Sequence, residues 1–432
     1  MHVPHENAKE LEPTRERRER SVRRRWRRPT GRSIVLLLLI QVSSLAVPLA
    51  TMPFLTRVLG PAAWGHLAAI QALSITLAIV VEYGFQYTAT RSISLERDSA
   101  GSVHRIVSEV ATAKLVLSLA TVLLGAVIYW SVPAFHESWQ MFICGIFYSI
   151  VLGWSPIWFF QGVEKLEIAA SIDVLSKVAS AVWIFLAVKS PEDAVLVIIA
   201  QAVMTALATI LNLFRVNRSA GRPVFRLRGA WTSLGHGFPM FLYRATVTVY
   251  SAGSTAVLRG MASSIEAGNY ANADRLTTAA KSLIVPVGQV MFPKISRLHS
   301  ANPSHAKKVM TMSLVLMTIP FAAAGAAAMA LAPWLLPLFF GPNYSQTVPI
   351  FQVLCLTLPL VAASNVLGIQ WMLARGRRAA FNTMVVSSAV ASIVCMVITV
   401  PSMGGLGMAW SVVIAEATLV MAMGVYTWRV ND

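Results

Sequence analysis

The sequence predicts an all-α membrane protein of about twelve transmembrane helices, arranged as two six-helix halves related by a pseudo-twofold axis. Three observations carry that prediction: an apolar composition, a regular succession of apolar stretches, and basic residues gathered on one side of them. Of 432 residues, 56% are hydrophobic and only 13% charged. A soluble globular chain runs roughly 45–50% apolar and about 25% charged, so an ordinary soluble enzyme is excluded. Twelve helices of about 20 residues would use roughly 240 residues, and 56% of 432 is about 242. No large extramembrane domain fits beside them.

Residues 1–32 form a polar arm with eleven basic and five acidic residues and no apolar periodicity. It reads as a disordered cytoplasmic tail that fixes topology, or as an anchor for anionic lipid, where each cation contributes about 1 kcal/mol. No A-x-A-type site follows the first apolar run, so a cleaved signal peptide is not expected. Spans then recur at 34–55, 64–86, 109–130, 139–160, 168–188, 194–214, 237–258, 271–292, 309–332, 348–370, 379–399 and 406–428. They divide the chain into the arm, an N-terminal half at 33–216, a cytoplasmic basic linker at 217–236 and a C-terminal half at 237–432. Pro48, Pro156, Pro286, Pro320 and Pro359 fall inside spans. A membrane helix tolerates such breaks where neighbours or water satisfy the freed carbonyl. Helices that bend in a transport cycle use them, and so do static kinked helices.

An even number of spans puts both termini on one side, and the Lys and Arg positions agree. The arm side holds eleven in the arm, then three, one, five, four and three in loops and one after the last span. The opposite side holds only Arg57, Lys189 and Arg259. That bias places both termini in the cytoplasm. It also accounts for the formal charge of +17 without a nucleic-acid partner, which is not expected. Cys144, Cys355 and Cys395 sit in apolar runs and read as small buried residues. The eight histidines form no HxxxH or HExxH pattern, and neither a metal nor a cofactor is expected.

An internal repeat supports two halves. Gly65-His66-Leu67-Ala68, followed by Leu73, recurs as Gly268-Asn269-Tyr270-Ala271, followed by Leu276. Each copy stands at the entrance of the second span of a half, with Arg57 and Arg259 just upstream. Six spans preserve orientation, so the halves are parallel repeats about an axis normal to the membrane, with a cavity between them.

Charge at membrane depth costs roughly 2.5–3.5 kcal/mol and so faces a cavity or a partner. Nine residues qualify: Glu82, Lys114, Asp173, Lys177, Arg244, Asp274, Arg275, Lys281 and Glu416. Asp173 and Lys177 are four apart and can pair along one helix face. Asp274 and Lys281 share a face two turns apart. Arg275 lies near the outer end, where it can snorkel. Arg244 and Lys114 have no opposite charge within a turn, so each needs a partner from another helix, water or a bound anion. Glu416, near the centre of the last span, reads either as a protonatable coupling group or as a protonated structural acid. Glu82 is nearer the cytoplasmic end, where a structural role is expected. The excess is slightly cationic, and a cationic cavity with low-dielectric walls favours an anionic solute.

Five local patterns then resemble one family. Leu59-Gly60-Pro61 through Trp64-Gly65 resembles its entrance to the second helix, and Glu82-Tyr83-Gly84-Phe85, running to Arg91, the segment that ends it. Trp158-Phe159-Phe160-Gln161-Gly162-Val163-Glu164-Lys165 is similar to the W-x-F-Q-G-x-E stretch between helices four and five. Ala273-Asp274-Arg275-Leu276, with Pro286, Gln289 and Pro293, resembles the eighth-helix pattern, where Glu more often stands at the Asp274 position. Phe340-Gly341-Pro342-Asn343-Tyr344 resembles the external loop before helix ten. The family is the Wzx-type polysaccharide flippases of the multidrug/oligosaccharidyl-lipid/polysaccharide exporter superfamily, and the resemblance covers Ser33 to Trp428. It implies a V-shaped, MATE-like twelve-helix bundle in the bacterial inner membrane. The implied cargo is an undecaprenyl-diphosphate-linked oligosaccharide, moved from the inner to the outer leaflet for O-antigen, capsule or exopolysaccharide assembly.

Alternating access by rocking of the two halves is the expected mechanism. Arg244, Lys281, Lys114 and Lys177 are the expected holders of diphosphate or acidic sugars, with Arg275 nearer the exit. Glu416, Asp173, Asp274 and Glu82 are the candidates for a coupling ion. Membrane lipids, a polysaccharide polymerase and assembly proteins are the expected partners. Two other functions compete. A cation-coupled multidrug exporter would be served by the acids alone, but the cations count against it. A polytopic polymerase or ligase would need a large external loop, and no P-loop or G-x-G-x-x-G motif in its required context supplies ATP-driven chemistry.

Overall fold

The computed structural model describes residues 31–97, 99–284, 303–373 and 375–429. Residues 1–30 of the arm, and Pro286, Gln289 and Pro293, lie outside the described residues. Every element among the described residues is helical, as lipid requires of a chain whose backbone groups must be satisfied internally.

The first two predicted spans form one hydrogen-bonded run, α1 (Gly31–Glu82), broken only at Gly60, where φ is 72° and ψ 171°. A positive φ suits glycine, and Pro61 follows where a helix start has no use for an N–H. The expected loop between these spans is thus a single residue. The last two spans repeat the device in α14 (Arg378–Arg429), broken at Gly404 with φ 53°. That left-handed φ favours glycine, and a Cβ there would displace the Glu266 carboxylate.

Between them run α2 (Phe85–Glu96), α3 (Ala100–Ser131), α4 (Trp139–Trp154), α5 (Ile157–Gly162), α6 (Leu166–Ala187) and α7 (Ala194–Ala220). The C-terminal part has α8 (Leu227–Tyr250), α9 (Ser254–Met261), α10 (Ser264–Ser282), α11 (Pro303–Phe340), α12 (Thr347–Cys355) and α13 (Thr357–Ser364). The last continues as a wider π-type turn over Asn365–Leu373. Eight stretches among the described residues are long and apolar enough to cross a membrane, two of them 51 residues long and carrying the glycine breaks. At 1.5 Å per residue such a stretch is about two and a half times as long as a bilayer core is thick.

The region 217–236 differs from the linker expected there. Helix α7 runs to Ala220 and α8 begins at Leu227, leaving six residues between. Those six are pinned to α3, with Val224 N donating to Ser108 Oγ at 3.1 Å and Arg226 N to Thr112 Oγ1 at 3.0 Å.

Connections gather at two ends of the bundle. One, the far end, holds Gly60, the short 3₁₀ turn Pro133–Ser138 and the turn Pro342–Tyr344. The other, the tail end, holds Gly84, Gly221 and the start of α8. The largest core joins α1, α4, α7, α10 and α11 through Trp64, Leu67, Phe142, Val197, Ala271 and Phe340. Lipid tails are as apolar as leucine, so close backbone approach rather than water exclusion drives such packing. Gly65 and Gly268, the equivalent glycines of the repeat, lie against each other. A Cβ on Gly65 would stand 1.7 Å from Ser264 O, and one on Gly268 3.1 Å from Gly65 Cα.

Candidate functional site

A chamber of about 290 Å³ opens between α1, the turn that joins α8 to α9, α9 and α10. Pro48, Leu49, Met52, Ala68, Ala72 and Ile75 supply one wall, and Ser251, Thr255, Asp274, Arg275 and Thr278 the other. Helix α8 stops at Tyr250 and α9 resumes at Ser254, so irregular backbone sits where it lines a cavity, the one place membrane depth allows it.

Arg275 is the cation of this chamber. Its guanidinium donates to Gln71 Oε1 at 2.6 Å and lies 4.8 Å from the Trp64 ring. Gln71 in turn donates to Gln201 at 2.9 Å, and Trp64 to Asn272 at 2.8 Å. No carboxylate among the described residues forms an ion pair with Arg275. Its direct partners are a neutral amide and an aromatic face, so the charge stays available to an anion. Asp274 shares the chamber and interacts electrostatically with Arg275 and with Lys281. Lys281 also acts on Glu416, which brings two residues expected in separate roles near each other.

The other expected residues fall elsewhere. Lys114 does not line the chamber; it is 2% exposed and donates to Gly153 O at 2.7 Å and Ser155 O at 3.4 Å. Those carbonyls stand at and just past the end of α4, where no intrahelical N–H follows, so the ammonium caps a helix end. Arg244 is ion-paired with Glu82, donates to Gln86 at 3.2 Å and lies over Tyr87; this cluster joins α8 to α1 and α2 at the tail end. Lys177 and Asp173 pair at 2.9 Å on one face of α6.

Residues outside the expected set close both ends. At the far end Glu137 accepts from Arg259, lies 3.4 Å from Ser264 Oγ and is 3.4 Å from His66 Nδ1. Tyr344 donates to Thr56 O at 2.9 Å, and Arg57 to Leu338 O at 2.5 Å. At the tail end Tyr83 stacks on Phe241 at 4.5 Å. Glu137 escaped the sequence because it sits in a loop, 122 residues from its partner. Gln71 and Gln201 escaped because they are uncharged, though an amide within an apolar span was a usable signal.

Residues 30–299 match the family model described as polysaccharide biosynthesis protein. The chain belongs to that family. Among curated relatives, one from Shigella dysenteriae is 27% identical over 396 residues, covering 91% of this chain and 98% of the relative. One from Escherichia coli strain K12 is 27% identical over 368 residues, covering 84% and 88%. Both are named as O-antigen transporters. Among solved structures, the lipid II flippase MurJ in an inward closed conformation aligns with TM-score 0.69 at 14% identity, over 90% of this chain and 87% of MurJ. An inward-facing MATE family transporter of the MOP superfamily aligns at 0.64 and 13% identity, over 90% and 98%. These two likenesses establish the fold: the chain shares the all-α arrangement of those two membrane proteins.

Proposed function

We propose that this chain is a flippase that carries a lipid-linked oligosaccharide across the bacterial inner membrane, both termini lying in the cytoplasm. The observation that carries the reading is Arg275, a guanidinium in the chamber that is hydrogen-bonded to a neutral amide and forms no ion pair with a carboxylate among the described residues. The family membership and the O-antigen transporter relatives agree with it. A diphosphate linking lipid to sugar is the anion that arginine holds best, through paired charge-assisted hydrogen bonds. Lys281, two turns on, takes the second phosphate or an acidic sugar.

The chamber fits a diphosphate or a single sugar, at the small end of ligand sites, which run from about 300 Å³. A whole repeat therefore enters only when the tail end parts, which requires the Arg244–Glu82 pair and the Tyr83–Phe241 stack to separate. Two six-helix halves rock against each other, and opening of the far end breaks the Glu137 cluster together with the Gly65–Gly268 contact beside it. Glu416 and Asp274 are the groups through which a proton or sodium ion acts, since both lie in the field of Lys281. Delivery to the outer leaflet supplies the polysaccharide polymerase and its assembly proteins.

Flipping of a lipid-linked oligosaccharide into reconstituted vesicles tests this. Arg275→Gln and Lys281→Gln each lower the rate at least tenfold; unchanged rates in both remove the anion site. One observation favours the second reading, a cation-coupled drug exporter: Asp274 in the same chamber. Under that reading Asp274→Asn abolishes efflux of a cationic dye while Arg275→Gln spares it.

A further inference from the structure

A second cavity lies at the far end, outside the chamber. It is an apolar groove of about 540 Å³ between the first part of α1 and the C-terminal helices, lined by Pro53, Arg57, Leu276, Leu335, Phe339 and Phe351 among others. Its one charged lining residue is Arg57. That side chain is exposed, donates to the neutral Leu338 carbonyl, and forms no ion pair with any carboxylate among the described residues.

The repeat makes this arrangement informative. Arg259 stands just upstream of the second repeat copy as Arg57 stands upstream of the first, and Arg259 is buried against the Glu137 carboxylate. The arginine just ahead of each repeat copy, one residue out of register between the halves, thus has a built-in anion in one half and none in the other. In place of a carboxylate, Arg57 meets a carbonyl and an open apolar groove. The groove's mouth is at a helix end, the depth at which lipid phosphates meet arginine.

We propose that the groove seats an anionic phospholipid of the far leaflet, its phosphate on Arg57 and one acyl chain between α1 and α11. The lipid replaces the missing carboxylate and wedges the seam between the two halves. This needs only a bilayer, not the flippase reading, so a chain that fails to flip can still be tested for it.

The full chain is purified, stripped of lipid and exposed to mixed micelles of dioleoylphosphatidylglycerol or dioleoylphosphatidylcholine, and retained lipid is counted by native mass spectrometry. The native chain retains phosphatidylglycerol in preference. Arg57→Gln lowers that preference about fivefold, the factor an interfacial cation contributes, while Arg57→Lys keeps most of it. Leu335→Trp, a lipid-facing change that narrows the groove, lowers retention of both lipids. Equal retention by native chain and Arg57→Gln overturns the proposal, as does equal affinity for the two lipids. Retention of polyprenyl phosphate but not phosphatidylglycerol overturns it too, by assigning the groove to the carrier lipid.

Discussion

At the scale of single residues, the charges expected to bind cargo divide by what their heads touch. Arg275 touches an amide and an indole, whereas Lys114 is consumed by carbonyls at the end of α4. Lys114→Met therefore strands two buried acceptors and lowers stability by about 1–3 kcal/mol, read as thermal unfolding in detergent, without the transport-specific defect of Arg275→Gln. The sequence made the cost of both charges visible but not their destinations. An intramembrane cation announces that a partner exists, and only the packing of α3 against α4 names Gly153. Outside the spans, Asp193 accepts from the Lys189 and Ser190 amides, and the Lys189 amide bond, the largest cause, holds its carboxyl below the usual range. A depressed carboxyl stabilises its turn above the ordinary value of about 3.9 and loses that contribution as pH falls through the lowered one. Amide exchange at 189–194 should rise at acid pH, and Asp193→Asn should remove most of that dependence.

At the scale of elements, glycine pairs decide where helices meet. Gly65 against Ser264 and Gly268 brings α1 and α10 to backbone contact. Gly65→Val pushes them apart by more than side-chain adjustment allows; a folded but transport-dead protein is expected, measured as intact expression with lost flipping. The repeat was legible in the sequence because both copies keep glycine and alanine at the same spacing. That the copies touch each other was not, since equal spacing says nothing of which faces meet. The far-end seal makes a separate prediction. A cysteine at Thr278 in a background without native cysteines resists a membrane-impermeant thiol reagent added outside, and Glu137→Gln raises its labelling several-fold. Restored protection in Glu137→Arg with Arg259→Glu assigns the seal to the pair.

At the scale of the whole molecule, contacts close the chamber at both ends: the Glu137 cluster on one side, Tyr83 on Phe241 and Arg244 on Glu82 on the other. A transporter in this state must break one set while keeping the other. Cross-linking cysteines at 137 and 264 with a short thiol reagent should stop flipping, and reduction should restore it. Composition made the all-helical membrane class legible, because lipid imposes it everywhere along the chain. Which spans share a chamber depends on non-local packing between α1 and α10, some 200 residues apart, and no local pattern encodes that.

Gly60 gives the two leading spans a leash one residue long. With no slack to absorb displacement, a tilt of either arm of α1 drags the other, so these arms behave as a stiff tweezer rather than as independent rods. Lengthening the leash by a few flexible residues would uncouple them, leaving a protein that still binds its cargo but no longer carries it through.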